Sequence, residues 1–261
     1  MSFIIAQISD SHLYADRHAL HHGVNVYDNL ANILAELSNN GEFDAVVFTG
    51  DLTQDHSERS YQHFAELILQ TNLEHPVYFV AGNHDCPTLL AKHLKGEPFS
   101  SNKNITTAHW EINLVASKSE SPAGYIVPSE ISTLVNQALP DKYQWIFMHH
   151  HPIDVGYFID RHHLTNQDFL WQSLQQLPLL KGIACGHVHR GMTLTKQQTG
   201  KYCDLLTCPA TSIQFDTQAP TVKALAMGPG YRIIELHDNG SYRTHVHYLP
   251  DTNYSCAVKG D

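Results

Sequence analysis

Five short apolar runs rich in β-branched and aromatic residues recur along the chain: Phe3 to Ile8, Ala45 to Phe48, Val77 to Val80, Trp145 to Met148 and Ile183 to Ala184. Runs of this length and composition predict buried strands. Between several of them apolar residues return at helical spacing, over Tyr27 to Leu37, Ser60 to Leu69, Glu130 to Leu139 and Asp168 to Leu177. Strands alternating with helices predict an α/β fold with helices packed outside a sheet. The last sixty or so residues differ: Tyr202 to Thr207, Tyr231 to Leu236 and Tyr242 to Tyr248 read as strands separated by turns such as Asp238-Asn239-Gly240, which predicts antiparallel pairing. Two stacked sheets with helices outside accommodate both halves. With no internal repeat or long linker, residues 1–250 are expected to form a single domain, followed by a C-terminal tail over 251–261.

Charge narrows the classes of partner. The chain has 16 Lys plus Arg against 26 Asp plus Glu, a formal charge of -10, which argues against a general binder of DNA, RNA or anionic membranes. Any phosphate it handles must be attracted by something other than surface cations, and metal ions would provide that attraction. The first apolar run meets Asp10 at once, with no basic segment before it, and reads as a strand of the mature fold. No stretch approaches the roughly 18 apolar residues of a membrane helix, so a cytoplasmic protein is expected. The five cysteines, Cys86, Cys185, Cys203, Cys208 and Cys256, show no two-residue spacing and are expected to be reduced thiols. Histidine, at 20 residues, is the unusual feature.

The histidines are not scattered. Each of the five apolar runs leads into metal-competent side chains: Asp10-Ser11-His12, Gly50-Asp51, Gly82-Asn83-His84-Asp85, His149-His150-His151-Pro152 and Gly186-His187-Val188-His189. Any one of these alone is an ordinary turn or helix cap. As a series they gather ligands on one edge of the sheet, where loops leaving strand ends are held rigidly yet stay open to solvent. Carboxylates with several imidazoles suit zinc, iron or manganese better than calcium or magnesium. There are too many ligands for one ion, and two ions sharing a carboxylate would use them all.

These five blocks, spanning residues 10 to 189, resemble those of the calcineurin-like metallophosphoesterases. The likeness to the bacterial 3′,5′-cyclic AMP phosphodiesterases extends to Gly23-Val24-Asn25, Tyr61 to Glu66, Asp160-Arg161-His162, Gly230-Tyr231-Arg232 and Glu235-Leu236-His237. The resemblance implies a four-layer α/β sandwich of two stacked mixed β-sheets flanked by helices. It implies a first divalent ion on Asp10, His12 and His189 and a second on Asn83, His149 and His187, with Asp51 bridging; His150 is the alternative to His149. Two such ions about 3.5 to 4 Å apart can hold a hydroxide as nucleophile. Catalysis would then rest on Asp51 and on His84, which would bind the phosphate and help protonate the leaving 3′-oxygen, with His12, Asp51, Asn83, His84 and His189 touching substrate.

The implied activity is hydrolysis of 3′,5′-cyclic AMP to 5′-AMP, lowering cellular cyclic AMP. A dinuclear enzyme for another small diester, such as a 2′,3′-cyclic nucleotide or a glycerophosphodiester, shares the same motifs, and a phosphoesterase-like scaffold without catalysis shares the fold. Two departures stand out: Ala116 occupies the position where the family usually has Asp before Ser117, and Lys118 to Tyr125 looks altered. Asp85 is read as orienting His84 or capping the next helix. His21, His22, His162 and His163 are candidates for a rim above the metals, while His245 and His247 alternate on a strand and read as structural or surface residues.

Overall fold

The computed structural model describes residues 2–71, 73–198 and 201–250. The chain opens with β1 (Ser2–Ile8), a short hairpin of β2 (Leu20–His21) and β3 (Val24–Asn25), and α1 (Val26–Asn40). Asn25 Oδ1 accepts the amides of Tyr27 and Asp28, satisfying donors that the first turn leaves open. β4 (Ala45–Phe48) leads to α2 (Glu58–Gln70), capped by the Ser57 side chain, then to β5 (Val77–Phe79), α3 (Pro87–His93) and β6 (Phe99–Ser100). Then come β7 (Asn104–Thr106), β8 (Trp110–Leu114), α4 (Pro128–Gln137) and β9 (Tyr143–Met148). Pro87 and Pro128 begin their helices where a missing N–H is harmless. A 3₁₀ turn (Phe158–His162), α5 (Gln167–Leu174), β10 (Leu180–Cys185), β11 (Met192–Gln198) and β12 (Lys201–Thr207) follow. The short strands β13 (Gln214–Phe215) and β14 (Ala224–Leu225) precede β15 (Gly230–His237) and β16 (Tyr242–Tyr248).

The strands form two six-stranded mixed sheets, ordered β16-β15-β1-β4-β5-β6 and β11-β12-β10-β9-β8-β7. In the first, β1, β4, β5 and β6 run parallel, with β15 antiparallel to β1 and β16 antiparallel to β15. In the second, β8, β9, β10 and β12 run parallel, with β7 and β11 antiparallel at the edges. The antiparallel pairing expected of the last strands therefore holds for β15 with β16, whereas β12 pairs antiparallel with β11 and parallel with β10. Alternation along a strand encodes which face is buried, not the direction of its neighbour.

Alternation also builds the layers. Ile5, Val47, Trp145, Phe147, Ala184 and Ile234 point between the sheets. From the same strands Ala6, Ile8, Val46 and Phe48 face α1, α2 and α3, while Ile146, Met148, Ile183 and Cys185 face α4 and α5. Helices, sheet, sheet and helices thus make four layers, and the strands are apolar on both faces because both faces are covered. Each fully buried Ile, Leu or Phe contributes about 1.5–3 kcal/mol of burial free energy, which is what holds the parallel strand ends in fixed register. Among the described residues no helix is long and apolar enough to cross a membrane. The tail over 251–261, with Cys256, lies outside the described residues; Cys86, Cys185, Cys203 and Cys208 are free thiols.

Candidate metal centre

The carboxyl ends of β1, β4, β5, β9 and β10 deliver the five sequence blocks to one place between the two sheets. Backbone contacts join the loops: the Asp10 amide donates to the Gly50 carbonyl at 2.9 Å, and the His12 amide donates to the Asp51 carbonyl at 3.0 Å. Asp10 (φ 56°), His12 (47°), Asp51 (57°), His187 (66°) and His189 (51°) all adopt the left-handed conformation. Each such residue costs on the order of 1–3 kcal/mol, and strain of this kind collects where geometry serves function. Gly82 allows the loops to close on one another, since a Cβ there would lie 2.2 Å from Asp51 Oδ1.

The result is a set of donor groups that could each hold a cation: Asp10, His12 and His189; Asp10, Asp51 and His149; His12, Asp51 and His84; and His149, His150 and His187, with donor atoms within 4.8 Å of one another in each. Asp51 stands between two sides of the site, its Oδ2 3.8 Å from His12 Nε2 and 3.4 Å from His149 Nε2. On one side His12 Nε2 lies 3.1 Å from His189 Nε2, and Asp10 Oδ1 3.4 Å from the latter. On the other, Asn83 Oδ1 lies 3.1 Å from His149 Nε2. His189 and His149 each donate Nδ1–H to a carbonyl, of Ile213 (2.8 Å) and Thr49 (2.7 Å), which aims Nε2 into the site. His187 Nε2 and His12 Nδ1 are buried with no hydrogen-bond partner among the described residues. Facing imidazole nitrogens, orphaned buried nitrogens and convergent carboxylates fit divalent cations held by N and O donors.

Electrostatics agree with the geometry. Burial alone would raise the Asp51 pKa, but the facing His149 holds it well below the usual carboxylate range. Burial would lower His149, and the Asp51 charge and hydrogen bond overcome it, raising the imidazole to about 9. Burial drives His12 and His187 well below the ordinary histidine value, so both are neutral imidazoles with lone pairs to offer.

The three-histidine run divides by role. His149 presents Nε2 to the site, whereas His150 has both ring nitrogens engaged, Nε2 on the Pro122 carbonyl (3.2 Å) and Nδ1 on the Ser117 hydroxyl (2.8 Å). His151 donates from Nε2 to Asp160 (3.1 Å). Ser117, which follows Ala116, thus fixes His150; Ala116 itself is exposed at the lip of a different cavity. The Lys118 ammonium donates to the Asn83 carbonyl at 2.9 Å. Asp85 neither caps α3, whose N-cap is Cys86, nor hydrogen-bonds the His84 ring. It accepts the amides of Asp51, Leu52 and Gly82, each at 2.8 Å, so it fastens the second block to the third. Burial and the neighbouring Asp51 push its carboxyl up to about 7. Asp55 likewise holds backbone amides, of Ala15 and Ser57.

A cavity of about 370 Å³ opens over these groups, lined by His12, Asp51, Asn83, His84, His187 and His189, a size suited to a small-molecule ligand. A larger cavity, about 1110 Å³ and lined in part by Phe79, Leu90, Lys103 and Ala116, contains none of the donor groups. Of the rim candidates, His162 lines the cavity over the donor groups. His21 is buried with its ring parallel to that of His12 at 5.4 Å, His22 packs edge-on against His21, and His163 pairs with Asp154. His247 stacks on Tyr231, and His245 is exposed on the edge strand β16. Sequence reasoning missed Phe215, whose ring lies flat on His189 at 3.9 Å, and Asp160, which holds His151. Asp160 lies within a quoted match, Asp160-Arg161-His162, but nothing local to Phe215 marks it.

Known proteins resemble this chain to different degrees. The chain is 48% identical over 244 residues, 92% of its length and 93% of the relative's, to a protein of Colwellia psychrerythraea named probable cyclic nucleotide phosphodiesterase. It is 33% identical over 256 residues, 96% of its length and 91% of the relative's, to the 3′,5′-cyclic adenosine monophosphate phosphodiesterase CpdA of Escherichia coli. Among solved structures, a dimetal phosphatase from Danio rerio superposes with a TM-score of 0.59 at 14% identity, covering 89% of this chain and 95% of that one, which shows a common fold. Residues 3–191, the stretch that carries all five blocks, match the calcineurin-like phosphoesterase model, and the chain belongs to that family.

Proposed function

We propose that the chain hydrolyses 3′,5′-cyclic AMP to 5′-AMP at a two-ion centre and so lowers cyclic AMP in the cytosol. In this reading Asp10, His12 and His189 would hold one divalent ion, Asn83, His149 and His187 would hold the other, and Asp51 would serve both. The observation that carries it is the position of Asp51 between two sets of buried donors at the floor of a nucleotide-sized cavity; the names of relatives matched over nearly the whole chain support the substrate. Iron, manganese or zinc would supply water activation and neutralise charge on the phosphoryl oxygens. The remaining work falls to the chain. Asp51 is kept anionic by His149, and its Oδ1 accepts the His84 amide at 2.8 Å, placing that ring against the cavity. His84 packs edge-on to His12 at 4.9 Å and parallel to His56 at 5.6 Å, an orientation from which it can bind a phosphoryl oxygen and protonate the leaving 3′-oxygen. Burial lowers its pKa in the metal-free site, against which Asp51 raises it, and the acid role requires further negative charge beside the ring, which an anionic diester would supply.

The test compares metal-stripped, manganese-loaded and iron-loaded protein on 3′,5′-cyclic AMP, a 2′,3′-cyclic nucleotide and a glycerophosphodiester. Metal-dependent release of 5′-AMP at higher kcat/KM than for the other diesters is expected. Turnover of another diester without cyclic AMP would move the substrate class, and two bound ions with no turnover of any diester would point to a scaffold. Asp51→Ala should lose metal and activity together, whereas His84→Ala should keep metal and lose most of kcat.

A further inference from the structure

Beyond the donor groups, the small cavity has a wall for which phosphoryl chemistry has no use. Phe158, Ile159, Phe215, Thr221 and Val222 line it, a largely apolar surface continuous with the polar floor. Phe215 is already covered, lying against His189 and tilted against Phe158 at 5.1 Å. Phe158 is only partly buried, and Val222 is 42% exposed. Both are anchored. The Arg161 guanidinium donates to the Phe158 and Pro220 carbonyls, tying the 3₁₀ turn to the loop that carries Val222. The turn is fixed in turn by Asp160, which accepts the Val155 and Gly156 amides (each 2.8 Å) and His151 Nε2. His151 lies two residues from His149, so the apolar wall is held at a set distance from the donor groups.

We propose that Phe158 and Val222 form a slot for a flat heteroaromatic base, and that this slot selects nucleoside phosphodiesters over diesters that lack a base. The inference deepens the function proposed above and rests on its reading of where the phosphate sits. A glycerol or short alkyl group would leave the Phe158 face wet, whereas a base stacked on it removes both surfaces from water. Base–aromatic stacking corresponds to about a five- to hundredfold change in affinity on truncation to Ala. Phe158 is a specificity residue, and Arg161 positions it.

The experiment measures binding as well as turnover on the manganese-loaded protein. Calorimetric Kd for 5′-AMP, inhibition by inorganic phosphate and KM for cyclic AMP are compared in wild type, Phe158→Ala, Phe158→Tyr and Val222→Gly, with thermal unfolding to check that each is folded. Phe158→Ala should weaken 5′-AMP and raise KM by five- to hundredfold while leaving phosphate inhibition within about twofold, and Phe158→Tyr should restore both. An unchanged 5′-AMP Kd in Phe158→Ala, or an equal loss of phosphate binding, would overturn the slot. Wild type that binds 5′-AMP no better than phosphate would also overturn it. Wild type that binds 5′-AMP far better than phosphate yet spares cyclic AMP would refute the proposed substrate and leave the slot standing.

Discussion

Replacing Gly82 with Ala should disable the metal centre without unfolding the protein. The new Cβ would lie 2.2 Å from Asp51 Oδ1, 2.4 Å from its amide nitrogen and 2.8 Å from its Cγ. An ordinary contact needs about 3.5 Å, so Asp51 or the Gly82 strand end must retreat by about 1 Å. Asp51 has no slack: its amide is bound by Asp85, its Oδ1 by the His84 amide, and its Oδ2 faces His12 and His149. A shift of about 1 Å in a carboxylate that, as proposed, two ions share is enough to cost on the order of a hundredfold in rate. Overpacking adds about 1–3 kcal/mol of destabilisation. Gly182→Ala is the control, because its Cβ would meet the Trp145 ring at 2.6 Å, between the sheets and away from the donor groups. Metal content by elemental analysis, kcat/KM and thermal midpoint are measured on both variants. Gly82→Ala should fall in metal content and activity, and Gly182→Ala in midpoint alone. A Gly82→Ala protein with full metal content and activity within a fewfold of wild type would refute the idea that Asp51 is pinned where two ions need it.

Three other outcomes follow from the same geometry. His149→Ala should lower bound metal per chain, whereas His150→Ala should retain it and lose about 1–3 kcal/mol of stability by leaving the Ser117 hydroxyl and Pro122 carbonyl unpaired; elemental analysis and urea unfolding separate the two. His149 in the metal-free protein, raised to about 9, stabilises the fold fully below about pH 6.5, and that contribution is lost as pH rises through 9. A cation must displace this proton, so manganese affinity should climb with pH up to about 9 with measurable proton release, and pH-independent binding in calorimetry would contradict the assignment. Arg232 is buried and reaches from β15 to the Thr207 and Met192 carbonyls of the other sheet. Arg232→Ala should therefore destabilise by about 3–5 kcal/mol, seen in thermal or urea unfolding, while kcat of the folded fraction stays near wild type.

Much of this protein is written locally. Runs such as Ala45 to Phe48 are apolar at every position because both faces of a central parallel strand are buried, so strand ends, and with them the five blocks of His, Asp and Asn side chains, can be read directly from the sequence. Asn25 and Ser57 announce α1 and α2 through caps that involve only neighbouring residues. What depends on contacts between distant segments is silent in one dimension. The direction of β12 relative to β10 is set by packing, because side-chain alternation is the same in either direction. Which histidine of three faces the site depends on Ser117 and Pro122, some thirty positions away. Asp85 resembles a helix cap in sequence, yet besides the Gly82 amide of its own loop it accepts those of Asp51 and Leu52, on a loop that meets it only after both strands have been laid side by side. The left-handed turns at Asp10, His12, Asp51, His187 and His189 are intrinsically unfavourable, so no propensity predicts them; they persist because the hydrogen bonds and packing of the assembled sheets outweigh their cost.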